Sequence, residues 1–360
     1  MKAVFHAALL FVAAPAAVAW ATEPSVPVTG AAVESLKAFD TAMLEFMQKY
    51  GIQAGVLAVS QDGRLVLERG YGWADQARTK ATPPDALARI ASVTKAVTRA
   101  AVLALIREGK VSYDTKAFEW LAIEPPGGKA ADERIYKVTV RQLLDHRGGW
   151  DRAQGGDPMF QADRVRDDLK LKRPPAPRDV VRWMLGKPLQ FEPGEREAYS
   201  NFGYCVLGRV IEKASGKTYE GYVTEEVLRP AGAKAARMSR DRPADRDPRE
   251  VWYPVRDDEF SVEVMDAHGG LALTAADLCR FMHAYWISGE PRCEGQRQNW
   301  VLFGSLPGTT AMAMQRPGGV DIAALFNGPD GKSREREACL PQLRETLSKA
   351  AAETLERPAK

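Results

Sequence analysis

The stretch ARIASVTKAVTRAAVLALIREGK, from Ala88 to Lys110, constrains this chain more than any other segment. Its apolar residues Val93, Ala96, Val97, Ala100, Ala101, Leu103, Ala104, Leu105 and Ile106 leave little polar face, and Gly109 stands where a helix C-cap is expected. A helix that is apolar nearly all round has to be enclosed by other layers. Yet this one opens on Ser92 and Lys95, and lysine is almost never fully buried without a partner. A fold that buries the helix must give those two residues a task.

The rest of the chain supplies the layers. Residues 31–50 carry Leu36, Phe39, Met43, Leu44, Phe46 and Met47 at helical spacing, and the strand-like runs GVLAVS and RLVLERGYG follow around a hairpin signal at Gln61-Asp62-Gly63. Near the C-terminus TTAMAMQR and VDIAALFN flank Pro317-Gly318-Gly319, and LPQLRETLSKAAAETL reads as a second amphipathic helix. Between these ends VTVRQLLDH, PRDVVRWMLG, NFGYCVLGRVIEKAS, TYEGYVTEEVL and TAADLCRFMHAYW read as helices punctuated by Pro and Gly. The expected fold is an α/β (α+β) sandwich. Its antiparallel sheet comes from both chain ends, about 52–75 and 300–330, under N- and C-terminal helices, with a mainly helical region inserted at about 92–285. The charged stretch from Ser239 to Glu250 reads as a solvated loop.

Lys2, the apolar run FHAALLFVAAPAAVAW and the small-residue pattern Ala17-Val18-Ala19, with Ala19-Trp20-Ala21 as an alternative, predict a cleaved signal peptide over residues 1–21. The remaining domain, residues 28–360, is then expected in the periplasm or outside the cell, with no membrane span after signal removal. With 50 basic and 47 acidic residues interspersed, a net charge of +3 leaves no nucleic-acid footprint, so the expected partner is a small-molecule or peptide substrate. No feature of the sequence bears on oligomeric state. Cys293 and Cys339 lie in polar surroundings and are the plausible disulfide pair in an oxidising compartment, whereas Cys205 and Cys279 sit in apolar patterns and read as core residues. No Cys, His or acidic spacing suits a metal ion, and neither metal nor cofactor is expected.

Residues three apart on a helix share a face, so Ser92 and Lys95 can meet in one pocket. An enclosed lysine is driven toward its neutral form and can then take a proton from serine. Ser92-Val93-Thr94-Lys95 is the only Ser-x-x-Lys in the chain, and Tyr199-Ser200-Asn201, just after Pro193-Gly194 and before an apolar helix, is the only Tyr-x-Asn. A phenol beside an ammonium becomes a usable base, and an asparagine offers one acceptor and one donor group. A serine–histidine–acid triad is the chemical rival. It would have to draw on His146, His268 or His283, which sit beside glycine turns or in a helical pattern, and no Gly-x-Ser-x-Gly elbow is present.

In these contexts and this order the chain resembles the serine β-lactamase and penicillin-binding-protein-like superfamily, in its class C β-lactamase, D,D-peptidase and family VIII esterase branch. The resemblance runs from about Phe39 to Asn327 through RIASVTKAVTRAAVLALIREGKVSYD, VTVRQLLDHRGGWD, FEPGEREAYSNFGYCVLGRVIEKASGKTYEGYV and HGGLALTAADLCRF. It implies that Ser92 is acylated, that Lys95 and Tyr199 handle its proton, and that Asn201 orients the substrate, its two groups suited to holding Lys95 and a substrate carbonyl at once. The strand lining the site usually carries Lys-Thr-Gly or His-x-Gly. Here Leu302-Phe303-Gly304 takes that place, with the N–H groups of Ser305 and Ser92 implied as the oxyanion hole. Leu302 cannot hold a carboxylate, which points to an esterase or amidase acting on a small neutral acyl substrate unless Arg152 or Arg316 supplies the charge. A β-lactamase or D,D-carboxypeptidase is the first alternative, and a catalytically silent binding protein on the same fold is the second.

Overall fold

The computed structural model describes residues 26–255, 260–293, 299–329 and 338–355; the expected signal segment lies outside them. The strands, in chain order, are β1 (Val28–Thr29), β2 (Ala54–Gln61), β3 (Arg64–Gly72), β4 (Ala88–Arg89), β5 (Arg237–Met238), β6 (Leu271–Leu273), β7 (Trp300–Leu306), β8 (Thr309–Arg316) and β9 (Val320–Phe326). Six of them form one antiparallel sheet in the order β1-β3-β2-β9-β8-β7, so both chain ends build it, as expected. Its central seam pairs Val56 with Leu325 and Ala58 with Ala323. Both seam strands are buried along almost their whole length, as strands covered on two faces must be.

On one face lie the terminal helices α1 (Lys37–Tyr50) and, at the other end of the chain, Leu340–Thr354. Phe39, Met43, Phe46, Leu343 and Leu347 pack there against Leu57, Val59, Met312, Ile322 and Phe326. The other face is lined by small residues, Ala58, Ala311, Ala313 and Ala323, which let the helices beneath come close. On this side lie α2 (Thr94–Arg107), α3 (Pro177–Leu185), α4 (Asn201–Ser215) and α5 (Ala275–Ala284), of which α5 packs directly on β2 and β9; the C-terminal helix is α6. Ten residues of α2 are buried, Lys95 among them.

The structure departs from the sequence reading in three places. First, α2 begins later than its apolar pattern: Ala91–Val93 forms a separate 3-10 turn, entered through Ala91 at φ 45°. A left-handed alanine is costly and marks a turn held by its surroundings. Second, the charged stretch is anchored at both ends. Buried Arg89 donates to Ser239 Oγ at 2.9 Å, and Ser239 donates to Glu250 Oε1 at 2.6 Å. Tyr253 donates to the same carboxylate at 3.0 Å, and its ring lies 4.0 Å from the guanidinium. A buried cation requires such a partner, and this one pins β4, three residues before Ser92. Strand β4 then pairs with β6 in a small second sheet, β4-β6-β5. Third, Cys293 and Cys339 form no disulfide: Cys339 is buried in the layer between sheet and terminal helices, while Cys293 is exposed beyond α5 on the other face. Cys205 and Cys279 are core residues as expected. No helix of the described residues is long and apolar enough to cross a membrane.

Candidate active site

The site forms where the Ala91–Val93 turn, the N-terminus of α4, the loop Arg152–Phe160 and β7 converge on a cavity of about 310 Å³. Gly304 permits the convergence: a Cβ there would stand 2.2 Å from the Ile90 carbonyl oxygen, so only glycine lets β7 lie against the turn.

Ser92, Lys95 and Tyr199 meet as the motifs predicted. Ser92 Oγ lies 2.8 Å from Tyr199 Oη and 3.1 Å from Lys95 Nζ. Lys95 also donates to the His268 carbonyl at 2.9 Å. Burial pushes its amine below the usual lysine range, and Tyr199 opposes that shift. A neutral Lys95 can keep its bond to the carbonyl while its lone pair faces the serine proton. Tyr199 sits on the residue before Ser200, whose hydroxyl caps α4 by accepting from the Gly203 N–H at 3.1 Å. Its ring lies 4.8 Å from His146, with Lys95 Nζ at 4.9 Å and the Arg152 guanidinium at 5.0 Å from the ring centre.

Neither His146 nor His268 is bonded to Ser92. His146 accepts the Ser200 N–H on Nδ1 at 3.1 Å and fixes the loop. Burial, then the charges of Lys95 and Arg99, push it down to about 4. His268 is buried and contributes its backbone carbonyl, while His283 is exposed on α5.

Three expectations change. Asn201 lines the cavity but does not hold Lys95: its Nδ2 donates to Asp157 Oδ2 at 2.6 Å, and its Oδ1 is buried with no partner among the described residues. Leu302 and Gly304 do not line the cavity. Leu302 packs against the helical core and Gly304 lies against Ile90 and Ala91, while Phe303, Ser305 and Leu306 line the cavity. Arg316, at the far end of β8, lies away from it, whereas Arg152 lines it and forms no salt bridge with any described residue. Ser305 shares the cavity with Ser92, as the oxyanion-hole reading requires. Sequence reasoning missed Asp157, Phe160, Leu306 and Leu340. For Asp157 the signal was Asp-Pro, where the Oδ1 caps a short turn by accepting from the Met159 N–H at 3.1 Å. The apolar residues carried none.

A serine held by a buried lysine and a tyrosine, in a cleft between such a sheet and such a helical region, defines a serine hydrolase. The chain belongs to the Beta-lactamase family, whose model matches residues 39–323. It is 34% identical over 224 residues to a Dichelobacter nodosus chain described as fimbrial assembly protein FimD, serogroup D, covering 59% of this chain and 52% of that one. It spans about half the length of the curated relatives it matches first. Among solved structures, the octameric penicillin-binding protein homologue of Pyrococcus abyssi superposes with a TM-score of 0.64 at 20% identity, over 89% of this chain and 79% of that one. The D-amino acid amidase of Ochrobactrum anthropi SV3, complexed with L-phenylalanine, superposes with a TM-score of 0.65 at 19% identity, over 86% and 98%. At such identities the likeness speaks for the fold.

Proposed function

We propose that the protein hydrolyses a small ester or amide through an acyl-enzyme on Ser92. The triangle of Ser92, Lys95 and Tyr199, with contacts of 2.8 and 3.1 Å at Ser92 Oγ, carries this reading. Ser92 Oγ attacks the acyl carbonyl as its proton passes to the Lys95–Tyr199 pair. The N–H groups of Ser92 and Ser305 receive the developing oxyanion. Collapse breaks the bond to the leaving group, which departs with a proton from Tyr199. Water then attacks the ester of Ser92, gives its proton back through the same pair, and releases the acid. The walls made by Phe160, Phe303, Leu306 and Leu340 favour an uncharged acyl group. A silent binder would have no use for a buried amine held against a serine hydroxyl.

Hydrolysis of a β-lactam or a D-amino-acid peptide is the second reading, and Arg152 favours it. It is the only cation among the described lining residues, it has no carboxylate partner among the described residues, and it stands over the ring of the tyrosine that serves the leaving group. The N-terminal signal reading places this chemistry in the periplasm or outside the cell, which fractionation of an epitope-tagged chain would check.

Intact-protein mass spectrometry after separate exposure to p-nitrophenyl butyrate, a fluorophosphonate and a penicillin tests both readings, with Ser92→Ala as control. Adducts from ester and fluorophosphonate alone favour the esterase or amidase. A stable penicillin adduct that weakens in Arg152→Gln favours the second reading. No Ser92-dependent adduct from any of the three overturns both.

A further inference from the structure

Tyr199 is 36% exposed, so packing does not by itself hold its ring against Ser92, and its placement has to come from the backbone on either side. Both neighbours answer to one residue. His146 accepts the Ala198 N–H on its carbonyl at 2.8 Å and the Ser200 N–H on Nδ1 at 3.1 Å. The turn that carries it follows the short helix Val140–Leu144, and there His146 takes φ 55°, a left-handed value that Asn, Asp and His adopt more readily than other side chains. Its ring lies 4.8 Å from that of Tyr199 and 5.1 Å from that of Tyr204. An imidazole accepts on Nδ1 only while that nitrogen is unprotonated, and burial beside Lys95 and Arg99 keeps it so down to about 4. Further along, the Gly194 N–H donates to the Arg147 carbonyl at 2.8 Å and the Gln190 N–H to that of Gly149 at 2.9 Å. The two segments therefore stay paired without the imidazole, whose loss would be felt at Ser200 and at the tyrosine before it.

We propose that His146 is a positioning residue whose carbonyl and imidazole grip the two N–H groups flanking Tyr199 and thereby set the phenol at its 2.8 Å distance from Ser92 Oγ. The inference rests on the reading that substrates acylate Ser92 with Tyr199 handling a proton. It assigns to a histidine that does not line the cavity a share in turnover rather than in binding. With the Nδ1 acceptor gone, the Ser200 N–H loses its partner and residue 199 is held on one side only. A displacement of the phenol by about 1 Å is then enough to cost on the order of 100-fold in rate.

His146→Asn and His146→Leu test this: the two side chains share a shape, both lose the imidazole ring, and only Asn keeps an acceptor on Cγ, where Nδ1 is attached. In hydrolysis of p-nitrophenyl butyrate, His146→Asn is expected to stay within about threefold of the wild-type kcat, and His146→Leu to fall by more than about tenfold with KM changed by less than about threefold. Rates are compared at a temperature where thermal unfolding shows both variants folded. Equal kcat in the two variants, whether high or low, would leave no part for the acceptor and overturn the proposal. If His146→Leu does not fold, His146→Gln, whose acceptor stands one carbon further out, takes its place, and a kcat equal to that of His146→Asn overturns it in the same way. A substrate-free measurement separates this from the acyl-enzyme reading. The Cζ NMR resonance of Tyr199 reports the hydrogen bond at its Oη, so Ser92→Ala should move it in the wild type and in His146→Asn but not in His146→Leu. The same response in all three backgrounds would overturn the inference whatever the rates. If the wild type shows no Ser92-dependent turnover of the ester, the acyl-enzyme reading is what fails, and the resonance alone decides what places Tyr199.

Discussion

A lysine amine 3.1 Å from a serine hydroxyl and bonded to no carboxylate is an unusual thing to bury, and its energetic cost sets the chemistry. Since burial lowers its proton affinity, the acid limb of the kcat/KM profile should fall below the ordinary lysine value near 10.5. Lys95→Arg, whose guanidinium does not deprotonate, should abolish turnover; retained turnover would remove Lys95 from proton transfer. His146 makes a stability prediction. Its imidazole is held near about 4 when folded, against about 6.5 when unfolded, so between these values the unfolded chain binds more protons. Stability is therefore full above about 6.5 and falls as pH drops toward 4, by up to roughly 3 kcal/mol for this group. Urea titrations of His146→Gln across that window should show a shallower slope than the wild type; an equal slope would assign the loss to other groups. Ser92, Lys95 and Tyr199 were legible at this scale because each motif is unique in the chain and fixes its own spacing. Asn201 was legible as a site residue, but its partner Asp157 lies 44 positions away and no local pattern joins them.

Elements decide which side chains reach the cavity. In Leu302-Phe303-Gly304 two adjacent apolar residues leave a period of two unreadable, so the face that β7 turns inward had to come from its pairing, Phe303 with Met312 and Gly304 with Ala311. Only Gly304 was readable at once, as a point of close backbone approach. Gly304→Val should lift β7 from the turn before Ser92, costing about 1–3 kcal/mol as overpacking does and lowering kcat more than 10-fold. Wild-type kcat at a temperature where the variant is folded would show that the turn and strand need not touch. The late start of α2 was hidden for a related reason: alanine at 91 suits a helix, and its left-handed φ is imposed by the packed turn.

At the scale of the molecule, the sheet from both chain ends and the buried central helix were legible from hydrophobic period alone. The cysteine pairing was not, because polar surroundings say nothing about which face of a sheet a residue takes. The two terminal helices cover one sheet face by themselves, so Leu347→Ala, at 0% exposure on α6, should cost about 2–5 kcal/mol without altering kcat below the unfolding transition. A matched loss of kcat would mean that the outer layer sets the site's geometry as well as its stability.

The seam between β2 and β9 joins residues near 56 to residues near 325, and β7, with its share of the cavity, lies late in the chain. During synthesis the serine, its lysine and its tyrosine therefore emerge long before the strand that completes their pocket. A ribosome-bound chain holds the reactive groups but not the enclosure that activates them. The nascent polypeptide therefore has no formed site until its own tail closes the sheet.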